Sequence, residues 1–347
     1  MEPTLDREIV HDVAALRDLP LTSRELCTRI GSRLARRLTA DAFCFGTIDP
    51  VTLLVTDHVT DGIPADTAPA AAHNEYLVDD VLKFAELAGG KVSAGVLSAA
   101  TGGEPTRSHR YRALLPLIDA RHELRAAFVV GGRCWGNVSL YRSGRRQDFS
   151  GADVELLRRL SATVGGVLRG AAHRSAAANA GLFGESGVLV LGRDLTLVTA
   201  NPAAQRWLAE LDRTQGLPIA VLDVAARSSH TALPAYGRVR GASGRWLAVQ
   251  ASPLTGGEYP AHLAVLVYPA PASEVTDVMA LAYGLTRREC DVLAHVLSGK
   301  PSRTIAGLLH ITTATVQDHL KAIFAKVGVH SRGELTARML NADFGID

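Results

Sequence analysis

The stretch from Leu285 to Leu340 punctuates itself with helix-start and helix-stop signals so regularly that a sheet cannot be drawn through it. Thr286 and Glu289 stand at the T-x-x-E spacing of a capping box, Val292, Leu293, Val296 and Leu297 follow at helical spacing, and Gly299 closes the run. Ser302 is expected to cap a second, short helix carrying Ile305, Ala306 and Leu309. Thr312 is expected to cap a third over Thr313 to Val327, ended by Gly328, and Ser331 with Glu334 opens a last one through Leu340. Two of these helices are separated by only a few residues, the outline of a helix-turn-helix.

The third helix has two faces. From Val316 the apolar side chains return at Leu320, Ile323, Phe324 and Val327, one buried stripe. Thr315, Gln317, Asp318, Lys321 and Lys326 lie elsewhere on it, with almost nothing apolar between them. Charge is concentrated here as well: Leu285 to Leu340 holds eight Lys and Arg against four acids, while Met1 to Gly284 is balanced. A helix of this length is about 22 Å long, and a major groove roughly 12 Å wide accepts it. Gln317 can then pair with adenine, Asp318 can accept from the amino group of cytosine, and Lys321 can donate to guanine or phosphate. Ser302, Thr313 and Thr315 lie near helix N-termini, where hydroxyls and free backbone N–H groups bind phosphate. Arg303, Lys326, Ser331 and Arg332 complete the set expected to contact DNA. A merely solvated face is the plain alternative, against which stand the caps, the short turn and the local positive charge.

The run "LTRRECDVLAHVLSGKPSRTIAGLLHITTATVQDHLKAIFAKVGVHSRGEL" resembles the LuxR-type (GerE-like) helix-turn-helix domain of bacterial transcription regulators. The resemblance rests on Leu285, Thr286, Arg288, Glu289, Gly299, Ser302, Ile305, Ala306, Ile311, Thr315, Val316, His319, Gly328, Val329, Ser331, Arg332 and Glu334. Thr304, His310 and Gln317 depart from it, and Gln317 removes a cation from the groove face. The resemblance implies an all-α four-helix DNA-binding domain, double-stranded DNA as partner, pairing into a homodimer and a working contact with RNA polymerase. For the dimer contact two readings stand. Leu335, Met339 and Leu340 on the last helix meet their copies, as in that family, or they pack on the domain's own core; the helices expected over 22–38 and 150–170 offer a second, larger contact.

Upstream, "LTSRELCTRIGSRLARRL" repeats apolar residues every four positions as a helix, and "DAFCFGTIDP" alternates Phe43 and Phe45 as a half-buried strand. "RAAFVVGGRCWGNVSLYRS" reads as a hairpin turning at Gly131-Gly132, followed by a long helix from near Ser150. Tyr76 to Leu117 is expected to be loop and short helices. Farther on, "SGVLVLGRDLTLVTANPAAQRWLAEL" gives two short strands, then a helix capped by Asn201 with Pro202 at its first position. "RWLAVQASPL" and "AHLAVLVYPA" alternate as strands about Gly256-Gly257. Residues 22–170 resemble a GAF domain and 182–270 are similar to a PAS domain. The expected fold class is therefore α+β and multidomain: two antiparallel sheets with helices, then an all-α helical domain. An N-terminal extension (1–21), a connector (171–181) and a linker (271–280) are expected around these, with the DNA-binding domain over 281–347.

Several chemistries are set aside. "GGRCWG" lacks the spacing of a phosphate cradle and "GESGV" that of a hydrolase elbow, so neither an enzyme nor a cofactor is expected. Cys27, Cys44, Cys134 and Cys290 lie far apart without histidine pairs, excluding a metal site by spacing, and read as buried thiols. His230 is expected to be solvated or structural rather than a haem ligand. No apolar run is long enough to span a bilayer and no signal-peptide core opens the chain, so no membrane contact and a cytoplasmic location are expected. The function expected is a sequence-specific DNA-binding regulator biased by a small-molecule ligand or a protein partner, the ligand being unidentified. A protein-interaction scaffold with weak or no DNA binding is the alternative.

Overall fold

The computed structural model describes residues 2–174, 185–211, 216–243, 245–255 and 262–340. Helix α1 (Glu2–Ala14) and a 3-10 turn lead to α2 (Ser23–Arg37). Thr22 caps α2 reciprocally: its hydroxyl accepts from the Glu25 N–H at 3.2 Å, and the Glu25 carboxylate accepts from the Thr22 N–H at 2.8 Å. Its stripe of Leu26, Ile30 and Leu34 is fully buried.

The first sheet is built from β1 (Ala42–Ile48) and β2 (Val55–Asp61), then, after α3 (Ala68–Leu77) and α4 (Phe84–Gly89), β3 (Ala94–Val96). After α5 (Leu97–Ala100) and α6 (His109–Ala113) come β4 (His122–Val130), β5 (Arg133–Arg142) and the long α7 (Gly151–Arg174). All pairs are antiparallel, in the order β2-β1-β5-β4-β3. The β4–β5 hairpin turns where expected, with φ of 61° and 72° at Gly131 and Gly132, a backbone that a side chain would strain. Phe43, Phe45, Phe128, Val138 and Leu140 fill the face toward α2 and α7, the Phe45 and Phe128 rings stacking 5.4 Å apart. The stretch expected as loop and short helices holds those helices and also β3, whose three residues are too few to show an alternation.

The second sheet repeats the order: β6 (Gly187–Leu191), β7 (Leu197–Ala200), β8 (Ala235–Arg240), β9 (Trp246–Pro253) and β10 (Leu263–Pro269) form β7-β6-β10-β9-β8, with α8 (Pro202–Leu211) and α9 (Ile219–Thr231) between β7 and β8. Asn201 caps α8 as expected, its side-chain oxygen accepting from the Ala204 N–H at 2.8 Å. Gly256-Gly257 lies outside the described residues. The two antiparallel sheets and the helical C-terminal domain give the expected α+β architecture.

The structure adds to three boundary expectations. Within 1–21, expected as an N-terminal extension, Ile9, Val13 and Leu16 are buried and α1 lies on α7. Of residues 271–280, expected as a linker, all but Pro271 belong to helix α10 (Ala272–Ala282), whose Val275, Val278 and Met279 are buried. The prolines that suggested a break end at Pro271, the residue just before the helix, and proline there leaves the helix interior untouched. In the connector over 171–181, α7 continues through Arg174, and 175–181 lie outside the described residues. Cys27 and Cys134 are buried as expected, whereas Cys44 and Cys290 are only partly so. His230 is exposed on α9.

Candidate nucleic-acid interface

The C-terminal domain is α11 (Arg287–Leu297), α12 (Ser302–Leu309), α13 (Thr313–Val327) and α14 (Arg332–Leu340). Thr286 and Glu289 form the expected capping box, and Thr312 caps α13 by accepting from the Thr315 N–H at 3.1 Å. His310 takes the left-handed conformation (φ 53°, ψ 46°) that ends α12 and makes the short turn before α13. Val316, Leu320, Ile323 and Val327 are buried against α11 and α12, as the stripe predicted. That packing fixes which face of α13 points away from the domain.

Asp318 and Lys321 stand on that outward face with side chains 76% and 79% exposed, 3.7 Å apart across one turn. A pair this solvated contributes little to stability, so both groups stay available to a partner. Gln317 is exposed too, and its amide donates to the Ser302 hydroxyl at 3.0 Å, bridging α13 to the start of α12. Ser302 therefore does not cap α12. Pro301 occupies the cap position, and the Ser302 hydroxyl accepts from both Gln317 and the Arg332 guanidinium, each at 3.0 Å. Thr313, Arg303 and Ser331 are exposed and Thr315 is half-buried beside its cap.

Two expected contacts are engaged within the domain. The Lys326 ammonium reaches Glu289 at 2.6 Å, on the side of α13 toward α11. Burial pushes the Glu289 carboxyl up, but Lys326 and the Thr286 backbone and hydroxyl outweigh it and hold the carboxyl below its usual value. Lys326 is thus a structural cation that lets a buried capping box keep its charge. Arg332 donates to the Lys300 carbonyl at 3.1 Å as well as to Ser302, stitching α14 to the α12 N-terminus. Helical spacing puts Lys326 near the polar face, and only the packing of α11 shows where its ammonium goes. At α14 the Ser331 hydroxyl accepts from the Glu334 N–H at 3.1 Å, while the Glu334 carboxylate takes the His330 N–H at 2.8 Å.

Leu335 and Met339 are buried within the chain, where α14 packs on α10 and α11, so these two side chains are not free to meet a second copy. The Leu340 side chain lies outside the described residues. Among the described residues no helix is long and apolar enough to cross a membrane, and no cluster of three potential metal ligands occurs.

Residues 284–339 match the family described as bacterial regulatory proteins, luxR family. A transcriptional regulatory protein of uncharacterized role, YhcZ of Bacillus subtilis, is 44% identical over 50 residues, which are 14% of this chain and 23% of that protein. The chain thus spans about a quarter of the length of this curated relative. Among solved structures, Escherichia coli SdiA covers 98% of each chain at 14% identity and a TM-score of 0.37. The Vibrio cholerae VqmA dimer covers 46% of this chain and 84% of its own at 18% identity and 0.22. At such scores the structural likenesses carry no functional argument. The C-terminal domain is a LuxR-family helix-turn-helix domain, and the residues that carried the resemblance lie within the matched segment.

Proposed function

We propose, from the LuxR-family domain as premise, that the chain is a DNA-binding transcription regulator whose sheet-containing units bias the access of α13 to the major groove. The observation that carries this is the outward face of α13. Gln317, Asp318 and Lys321 are solvent-exposed side by side on a helix whose opposite stripe is locked into the domain. Ser302, Thr313, Thr315, Arg303 and Ser331 flank that face and supply phosphate contacts, with Arg332 holding Ser302 in place and Lys326 acting within the domain. The sheet units are read as GAF-like over 22–170 and PAS-like over 182–270, supported by a five-stranded antiparallel sheet with helices in each. Pairing into a homodimer, a cytoplasmic location and a contact with RNA polymerase belong to the same reading. The dimer contact must lie elsewhere than on Leu335 and Met339 unless α10 leaves α14.

The bias has a physical route. Arg238 on β8 donates to both carboxylate oxygens of Asp49, at 2.8 and 3.1 Å, and also to the Glu274 backbone carbonyl on α10. One buried guanidinium thereby ties the first sheet, the second sheet and the helix that leads into the DNA-binding domain. A ligand that prefers one seating of the sheet units over another changes the position of α10 by linkage.

The test is a DNA titration with the full chain over a salt series. Arg303 and Lys321 are the exposed cations of the interface not tied to another helix, so each bound chain should release counterions from about two phosphates, a log–log slope of about −2 per chain. Gln317→Ala should weaken the preferred site by about 1–3 kcal/mol and leave random DNA unchanged. A salt-independent affinity, or equal losses on all sequences, would sink this reading.

A further inference from the structure

The first sheet has a second face, away from α2 and α7, and it is not solid. A cavity of about 440 Å³ lies there, within the range of roughly 300–1,000 Å³ common for small-molecule sites. Its floor is set by strand alternation. On β5, Asn137, Ser139 and Tyr141 point to this face, and on β1 their neighbours Cys44 and Gly46 stand opposite Ser139 and Asn137. Its roof comes from α3 and, across the chain, from Leu217 just before α9 and from Ile219 and Asp223 on α9 in the second unit. The Tyr76 hydroxyl donates to Asp223 at 3.0 Å, closing the seam between the units.

Asn137 is the group left over. Its side chain lines the cavity at 3% residue exposure and has no hydrogen-bond partner among the described residues. Its amide opens onto the cavity space instead of a protein partner, so a group entering the cavity is what it can pair with. The backbone has made room for it, because a Cβ at Gly46 would lie 2.7 Å from the Asn137 side-chain oxygen.

The charges around the cavity already have partners, Arg24 at its α2 side pairing with Asp57 at 3.4 Å. Arg125 pairs with Glu75 at 2.8 Å and stacks on the Phe84 ring at 3.6 Å, and Arg110 pairs with Glu123 at 2.7 Å. Burial pushes the Asp223 carboxyl up to about 8, so at neutral pH it is mostly uncharged. An ion entering this space would lose its hydration without gaining a counter-charge.

We propose that this cavity binds an uncharged, mainly apolar small molecule that offers one hydrogen-bonding group to Asn137, and that the site is complete only while the second unit is seated on the first. Its role as an effector site rests on the regulator reading, whereas its existence does not. Occupancy would favour the seated arrangement, the one in which Arg238 joins Asp49 to α10.

Two fluorescent probes that differ by one charge test this on the full chain: N-phenylnaphthylamine, and anilinonaphthalene sulfonate, the same skeleton with a sulfonate. The neutral probe should bind one per chain and at least about tenfold more tightly than the anion. Asn137→Leu should weaken it several-fold. Ile219→Trp, which fills the cavity from the second unit, should weaken it about tenfold, and Leu217→Trp at the partly exposed mouth gives the same reading should the first variant fail to fold. Equal binding of the two probes overturns the ligand class. Unchanged neutral-probe binding in Asn137→Leu overturns the polar anchor, and unchanged binding in the tryptophan variants overturns the shared site. The DNA titration is separate, so a chain that binds the neutral probe and not DNA would sink the regulator reading alone.

Discussion

The two sheets share one strand order and differ in what their buried faces hold. In the second, Leu189, Leu247, Val249, Val265 and Val267 meet the small, buried residues Val221, Ala225 and Ala226 of α9, and side chains fill the space between. In the first, one face is equally dense, with two stacked phenylalanines. The other carries Glu123, Arg125, Asn137, Ser139 and Tyr141, all buried, around a cavity. Strand order therefore does not decide whether a sheet packs solid. The residues on the other phase of the alternation decide it: when they are polar, they pair with one another and hold the covering helices off the strands, whereas apolar ones draw the helix down.

The largest effect should come from the joint between the sheets. Arg238 and Asp49 are 4% and 1% exposed, and truncating Arg238 leaves a buried carboxylate without its cation. Arg238→Ala is expected to cost about 3–5 kcal/mol, toward the low end because Asp49 still accepts from the backbone N–H groups of Val51 and Thr52. Hydrogen exchange should show β8, β9 and α10 losing protection together. Protection lost from β8 alone would mean that the sheets are two independent bodies and the comparison between them is only one of shape.

A pair of truncations sharpens the contrast within each sheet. Leu189→Ala in the solid second sheet should lower stability by about 2–5 kcal/mol, because a close-packed site cannot collapse on the void. Ser139→Ala on the hollow face of the first should cost no more than about 1 kcal/mol, since it removes one hydroxyl beside an existing space. Thermal unfolding of the two variants side by side checks this, and equal losses would mean that the cavity face is as tightly packed as the core.

The sequence made these two faces unequally legible. Phe43 and Phe45 on β1, and Ala126 and Phe128 on β4, announce one apolar face by alternation, and the structure buries them all. Glu123, Arg125, Asn137 and Ser139 occupy the opposite phase and look like side chains meant for water. Nothing local says that α3, α4 and α9 will cover them, because α9 arrives from the second unit, almost a hundred residues later. The same limit applies in the C-terminal domain. Caps and stripes are properties of neighbouring residues, so α11, α13 and their buried sides are readable from spacing alone. Where the Lys326 ammonium and the Ser302 hydroxyl go is not readable from spacing, because their partners, Glu289 on α11 and Gln317 and Arg332 beyond the turn, are set by packing between helices. α10 was hidden by proline and alanine, which read as a break although Pro271 sits just outside the helix.

The effect most specific to the place where the sheets meet is one of pH. Asp223 lies fully against the first unit, and burial, with the Glu75 charge added, raises its pKa to about 8 even though the Tyr76 hydroxyl and a Val55 backbone group favour its charged form. Arg227 lies near enough to act on Tyr76, and Cys44 beside the site is itself pushed up to about 12 by burial. In the unfolded chain the same carboxyl titrates near an ordinary value of about 4. Between those values the folded state holds a proton that the unfolded state has released, so this group makes stability fall as pH rises, and the fall ends once pH passes the folded value. Asp223→Asn keeps the shape and removes the titration. Its melting temperature should match that of the parent near pH 4 and exceed it increasingly toward pH 8, the stability gap widening by about 2 kcal/mol between pH 6 and 8. A gap that stays constant with pH would show that water reaches Asp223, and with it that the second unit does not seal the cavity in the first.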